Sequence, residues 1–124
     1  MTFSLHDTAR TMVSGGRGIL AADESIATMN SRLTTVGVAP AENSRRDYRE
    51  LLVTTPGLVD GVSGVILCEE TFRQHLADGR TFPEALTALG LLPGIKVDTG
   101  GKPLAGRSGE SVTEGLDGLD GRLK

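Results

Sequence analysis

Three short polar clusters in this sequence carry side chains able to move protons and hold anions: Asp23-Glu24-Ser25, Glu69-Glu70-Thr71, and Lys96 with Asp98. Carboxylates can serve as general acids or bases, hydroxyls hydrogen-bond to sugar or phosphate oxygens, and an ammonium stabilises developing negative charge. Gathered round one mouth, an acid, a hydroxyl and a lysine suit a polyol phosphate. The acids and the serine have a plainer reading as well, since such residues after a strand also cap the next helix. Lys96 lies inside the apolar run Gly94-Ile95-Lys96-Val97. An ammonium is costly to bury unpaired, so it either reaches out to water or serves a site.

Other residue patterns point away from several functions. Gly15-Gly16-Arg17-Gly18 lacks the spacing of a dinucleotide fingerprint and precedes an apolar run instead of following one. Gly100-Gly101-Lys102-Pro103 lacks both the spacing of a P-loop and its Ser or Thr, so no nucleotide cofactor is expected. His6 and His75 are isolated and suit surface or capping roles, so no metal is expected either. Cys68 reads as a packed small side chain, and a single cysteine fits a reducing compartment. Lys plus Arg number 13 against 16 Asp plus Glu, a net charge of −3 with the basic residues scattered. That leaves no basic stripe for nucleic acid. No run approaches the roughly 18 apolar residues of a membrane helix, and the start has no apolar signal-peptide region, so a cytoplasmic protein is expected.

The elements that must position these clusters follow from periodicity. Leu5, Ala9, Met12 and Val13 form a helical stripe with Ser4 or Thr2 as its cap. Gly18–Ala22 is a short continuous apolar run, suited to a strand buried on both faces. Ile26, Met29, Leu33 and Val36 predict a helix ended by Gly37. A further helix is expected from Asn43-Ser44, carrying Tyr48, Leu51 and Leu52 on one face and ending before Pro56. Val62–Leu67 reads as a second strand, Thr71–Ala77 as one or two helical turns, and Asp78-Gly79 as a turn. Thr81-Phe82-Pro83-Glu84 has the form of a capping box, with Phe82, Leu86 and Leu89 as the buried stripe behind it. Gly94–Asp98 reads as a third strand, Thr99–Glu114 has no periodicity, and Leu116, Leu119 and Leu123 start a last helical stripe.

Strands separated by helical crossovers pair in parallel, which predicts an α/β fold with its ligand site beyond the carboxyl ends of the strands. All three polar clusters fall there. The 124 residues suffice for one domain, but only four are aromatic, and nine of the 17 glycines lie between Gly90 and Gly121. A thin aliphatic core and a loop-rich last third are expected.

Taken together, Gly18–Ser25, Arg45–Leu52, Gly64–Thr71, Pro93–Asp98, Pro103–Gly106 and Gly115–Leu119 resemble class I fructose-bisphosphate aldolases, the Schiff-base type, in order and spacing. The resemblance implies a TIM (β/α)8 barrel that cleaves fructose 1,6-bisphosphate reversibly, in glycolysis and gluconeogenesis, to dihydroxyacetone phosphate and glyceraldehyde 3-phosphate. An iminium on a barrel lysine is then the electron sink. By the same resemblance Asp23 and Lys96 match catalytic positions, and Ser25, Thr28, Arg32 and Arg45 match positions that hold a substrate phosphate. Ile26-Ala27 and Thr99 differ from the residues common in the family. The family uses no cofactor or metal and forms homo-oligomers, a tetramer for the full-length protein. The Schiff-base lysine lies on later strands in the family. Residues 1–124 are therefore expected to be the N-terminal part of one barrel domain, holding about the first three βα units and inactive alone. The other expectation weighed is a non-catalytic remnant that binds or complements a barrel.

Overall fold

A computed structural model describes residues 4–124. The described part is α/β, as expected, with three parallel strands in the order β1-β2-β3 and a separate antiparallel hairpin, β4-β5. In chain order the elements are α1 (Leu5–Val13), β1 (Gly18–Ala22), α2 (Ile26–Thr35), α3 (Glu42–Val53), α4 (Leu58–Gly61), β2 (Val62–Leu67), α5 (Glu69–Arg73), α6 (Phe82–Ala88), β3 (Leu92–Ile95), β4 (Gly100–Pro103), β5 (Ser111–Glu114) and α7 (Leu119–Arg122).

Local chemistry sets most boundaries. Ser4 caps α1 by accepting from the Asp7 backbone N–H; the alternative cap, Thr2, lies outside the described residues. Helix α2 ends in a Schellman arrangement: the Gly37 N–H donates to Thr34 and the Val38 N–H to Leu33, with Gly37 at φ +77°. A Cβ would strain that left-handed turn, which is why glycine stops the helix there. The capping box forms at α6, where Thr81 accepts from the Glu84 backbone N–H and Glu84 accepts from that of Thr81.

The core lies on one face of the sheet. Ala22, Val65 and Leu67 point to the helices and are buried with Val53, Phe82, Ala85 and Leu86. The register pairs Ala21 with Ile66 and Ile66 with Gly94, so these residues line the opposite face. On that face Ile19 is 44% exposed and Ala21 is exposed as well. Strand β1 is thus buried on one face only, not on both as its continuous apolar run suggested.

Several burial expectations change. On α3 the inward residues are Arg45, Arg49 and Val53, one turn apart, while Leu51 is exposed. Leu52 still packs, partly buried, against the core, beside ion-paired arginines that the spacing of apolar residues does not mark. Leu89 is exposed, and Ala85 takes its place in the α6 stripe. The α1 stripe packs little, with Leu5 and Val13 both largely exposed. Helix α1 is tied down at its end, where the buried Ser63 hydroxyl donates between the Met12 and Gly18 carbonyls. Strand β3 starts earlier and ends sooner than expected, although the Lys96 N–H still donates to the Leu67 carbonyl at 2.9 Å. The segment without periodicity holds the β4-β5 hairpin, whose exposed strands have no core face to impose alternation. Gly115, just after β5, lets the backbone come close: an added Cβ would stand 2.7 Å from Asp98 Cα and from the Val97 carbonyl.

Candidate active site

At the carboxyl end of the sheet, two residues past the Ala21, Ile66 and Gly94 row, stand Asp23, Cys68 and Lys96. The alternation of side chains along each strand puts all three on the uncovered face. Strands β1 and β3 are separated by β2, a span of about 10 Å from two strand spacings. The long Lys96 stem crosses it, and its Nζ lies 3.9 Å from an Asp23 carboxylate oxygen. Both side chains are half-buried. Lys96 therefore neither extends freely into water nor hides unpaired.

Around this pair is an open cleft of about 270 Å³ lined by Asp23, Ser25, Cys68, Glu69, Lys96, Asp98, Thr99, Gly100 and Arg122. Its lining holds three carboxylates and two cations, so it favours hydroxyl groups over a bare phosphate. Ser25 lines the cleft, and its hydroxyl caps α2, accepting from the Thr28 backbone N–H at 3.2 Å and donating to the Thr28 hydroxyl at 3.0 Å. A second opening, of about 300 Å³ between α3, α4 and α6, is largely apolar and carries none of the polar clusters.

The two expected phosphate arginines are placed differently. Arg32 is exposed on α2 and donates to Glu24 at 2.7 Å, a contact a solvated side chain can exchange. Arg45 is buried. Its Nε and one terminal nitrogen grip both oxygens of Glu70 at 2.9 and 2.6 Å, and its other terminal nitrogen donates to Asn30 at 2.8 Å. Hydrogen bonding to Arg45 holds the Glu70 carboxyl below its usual range and raises the guanidinium in turn. Arg45 is thus a strut between α2, α3 and α5 and is not among the residues that line the cleft.

Sequence reasoning missed Arg49. It is 1% exposed, and it donates to the Ala22 carbonyl at 3.2 Å, the Glu24 carbonyl at 3.0 Å and the Glu24 carboxylate at 3.1 Å. Its spacing from Arg45 and Val53 was the available signal, masked by the habit of placing charges outside. Arg122 was missed too; it donates from α7 to the Val97 carbonyl at 3.1 Å. Among the described residues no group of three or more His, Cys, Asp or Glu is placed to hold a metal ion.

The family model for class I fructose-bisphosphate aldolase matches residues 4–124. The chain belongs to the class I fructose-bisphosphate aldolase family. Among the relatives of this aldolase chain is the probable class 1 enzyme of Xanthomonas axonopodis pv. citri, 56% identical over 120 residues. The match covers 97% of this chain and 36% of that relative. The cytosolic aldolase 6 of Arabidopsis thaliana is 54% identical, covering 88% of this chain and 30% of its own length; the chloroplastic aldolase 3 of the same plant is 53% identical, covering 93% and 29%. A crystal structure of Plasmodium falciparum fructose-bisphosphate aldolase, in complex with TRAP and a small-molecule inhibitor, superposes with a TM-score of 0.89 at 41% identity, covering 94% of this chain and 34% of that one. The three strands and their helices are therefore part of an aldolase (β/α)8 barrel, and the chain spans about a third of the length of the relatives it matches. Relatives occur in cytosol and chloroplast, and no described helix is long and apolar enough to cross a membrane.

Proposed function

We propose that this segment supplies one side of the active site for reversible cleavage of fructose 1,6-bisphosphate to dihydroxyacetone phosphate and glyceraldehyde 3-phosphate, in the cytoplasm and within a homo-oligomer. The Schiff-base lysine comes from the portion of the barrel that this chain does not span. The observation that carries the reading is the Asp23–Lys96 pair, bridging two strands at the mouth of the sheet. In an aldol cleavage the C4 hydroxyl loses its proton as the C3–C4 bond breaks, and the electron pair passes to an iminium at C2. Asp23 would accept hydrogen bonds from substrate hydroxyls and help set the path of that proton. Lys96, a fixed positive charge close by, would stabilise the negative charge that builds on oxygen. The hydroxyls of Ser25 and Thr28 at the positive end of α2, with the exposed Arg32, would hold the phosphate of the aldehyde half.

Activity needs the rest of the barrel, so the test is a chimaeric enzyme in which residues 4–124 replace the matching segment of the Xanthomonas axonopodis relative. The chimaera should cleave fructose 1,6-bisphosphate, and Asp23→Asn or Lys96→Met should each lower kcat by about 10²–10³-fold while leaving the melting temperature close to the parent's. A folded chimaera whose kcat is indifferent to both substitutions would sink the reading.

A further inference from the structure

We infer that Arg49 is a positioning residue for Asp23. This rests on the reading of Asp23 as a group that meets substrate. Among the described residues the Asp23 side chain makes one long polar contact, with Lys96, which does little to fix the strand end that carries it. Its two chain neighbours are fixed instead, by one guanidinium. The Nε of Arg49 holds the Ala22 carbonyl and a terminal nitrogen holds the Glu24 carbonyl, so the Ala22–Asp23 and Glu24–Ser25 peptide units, which bracket Asp23 and Glu24, are pinned to α3.

The geometry calls for an arginine. The pairing of β1 with β2 ends at the buried Ala22 and Leu67, and beyond that point the half-buried backbone loses its ladder partners. A carbonyl left without a donor there is unfavourable, so the chain would turn to find one and carry Asp23 with it. A planar fork reaches two acceptors at a set separation, whereas a lysine ammonium on a flexible stem does not enforce that separation. The Glu24 carboxylate balances the buried charge of Arg49 at 3.1 Å and also accepts from Arg32 at 2.7 Å. One acid thus joins the arginine that pins Asp23 to the arginine proposed to meet phosphate.

A misplacement of under an ångström in a catalytic carboxylate lowers the rate of the chemical step more than it lowers binding. In the chimaera, Arg49→Lys should cut kcat by about 10-fold or more with KM within about 2-fold, and Arg49→Met should cut it further. Val53→Ala, equally buried on the same face of α3 and remote from the polar site, supplies the matched loss of stability. It should leave kcat within about 2-fold when assayed well below its melting temperature. If Arg49→Lys and Val53→Ala lower kcat alike, or if the loss at Arg49 falls on KM alone, Arg49 is a core strut only and the inference fails. Should Arg49→Met not fold, Arg49→Lys decides by the same split. Asp23→Asn is assayed alongside: its loss of activity with Arg49→Lys unaffected overturns this inference alone, whereas an active Asp23→Asn overturns the reading beneath it.

Discussion

The two faces of the three-stranded sheet have been given opposite tasks. The face towards the helices is closed, with Val65 and Leu67 at 1% and 0% exposure, while the face that carries Ile19 and Ala21 is bare and leads directly to Asp23 and Lys96. The strands are alike in composition, so the difference comes from what lies above them. Stability is concentrated where α3 and α6 pack, and the Asp23–Lys96 pair stands half-buried in an open cleft on the other side. A bare apolar face flanked by two unpaired strand edges also invites association, which barrel closure removes.

The contrast can be broken most directly by removing the cover. A polypeptide of residues 1–124 alone should associate, bind a hydrophobic dye and melt without a sharp transition. A monodisperse monomer with one cooperative transition would show that the bare face carries no penalty. Next in size is the closed face, where Phe82→Ala in the chimaera should cost about 3–5 kcal/mol in a denaturant titration. A loss under about 1 kcal/mol, the level of a surface change, would mean that this face is not the stabilising one.

Smaller effects come from the polar struts around the core. Glu70→Gln removes the charged acceptor of Arg45 and should cost about 2–3 kcal/mol at neutral pH. Because Arg45 lowers the Glu70 pKa on folding, its contribution is complete above the ordinary value of 4.5 and disappears as pH falls through the lower folded value. The gap between parent and variant should therefore close on acidification below that value, and a gap that stays constant would assign the loss to packing. Smallest is Thr81→Ala, which removes the α6 cap and should lower stability by about 1 kcal/mol, read as a shift of a few degrees in melting temperature.

The elements most legible in the sequence were those fixed by local chemistry. Ser4, Ser25 and Thr81 cap their helices, Gly37 ends α2, and the strand Val62–Leu67 stands where its apolar run lies. What could not be read depended on partners distant in the chain. Arg45 and Arg49 look solvent-facing until Glu70 and Glu24 are brought to them, 25 residues away in each case. The hairpin of Gly100–Pro103 with Ser111–Glu114 escaped because neither strand buries a face, so neither shows the alternation that marks one. For the site, the acids and lysine were legible as residues after strands, and their convergence follows once the strands are parallel. The helix carrying Arg45 turns it away from the cleft, which only the folded arrangement reveals.

Gly115 bears on how freely this region can change. The strands joined near it are exposed and bury little, so most of their positions should accept almost any side chain in a saturation library. At Gly115 a single added carbon would collide with main chain at Val97 and Asp98, which no rotamer change relieves, on a backbone at φ +147°. The mutational profile should therefore be low apart from the left-handed glycines Gly100, Gly106 and Gly109, and should peak at Gly115. A change at that peak would be felt at the Lys96–Asp98 rim of the cleft rather than in the hairpin itself.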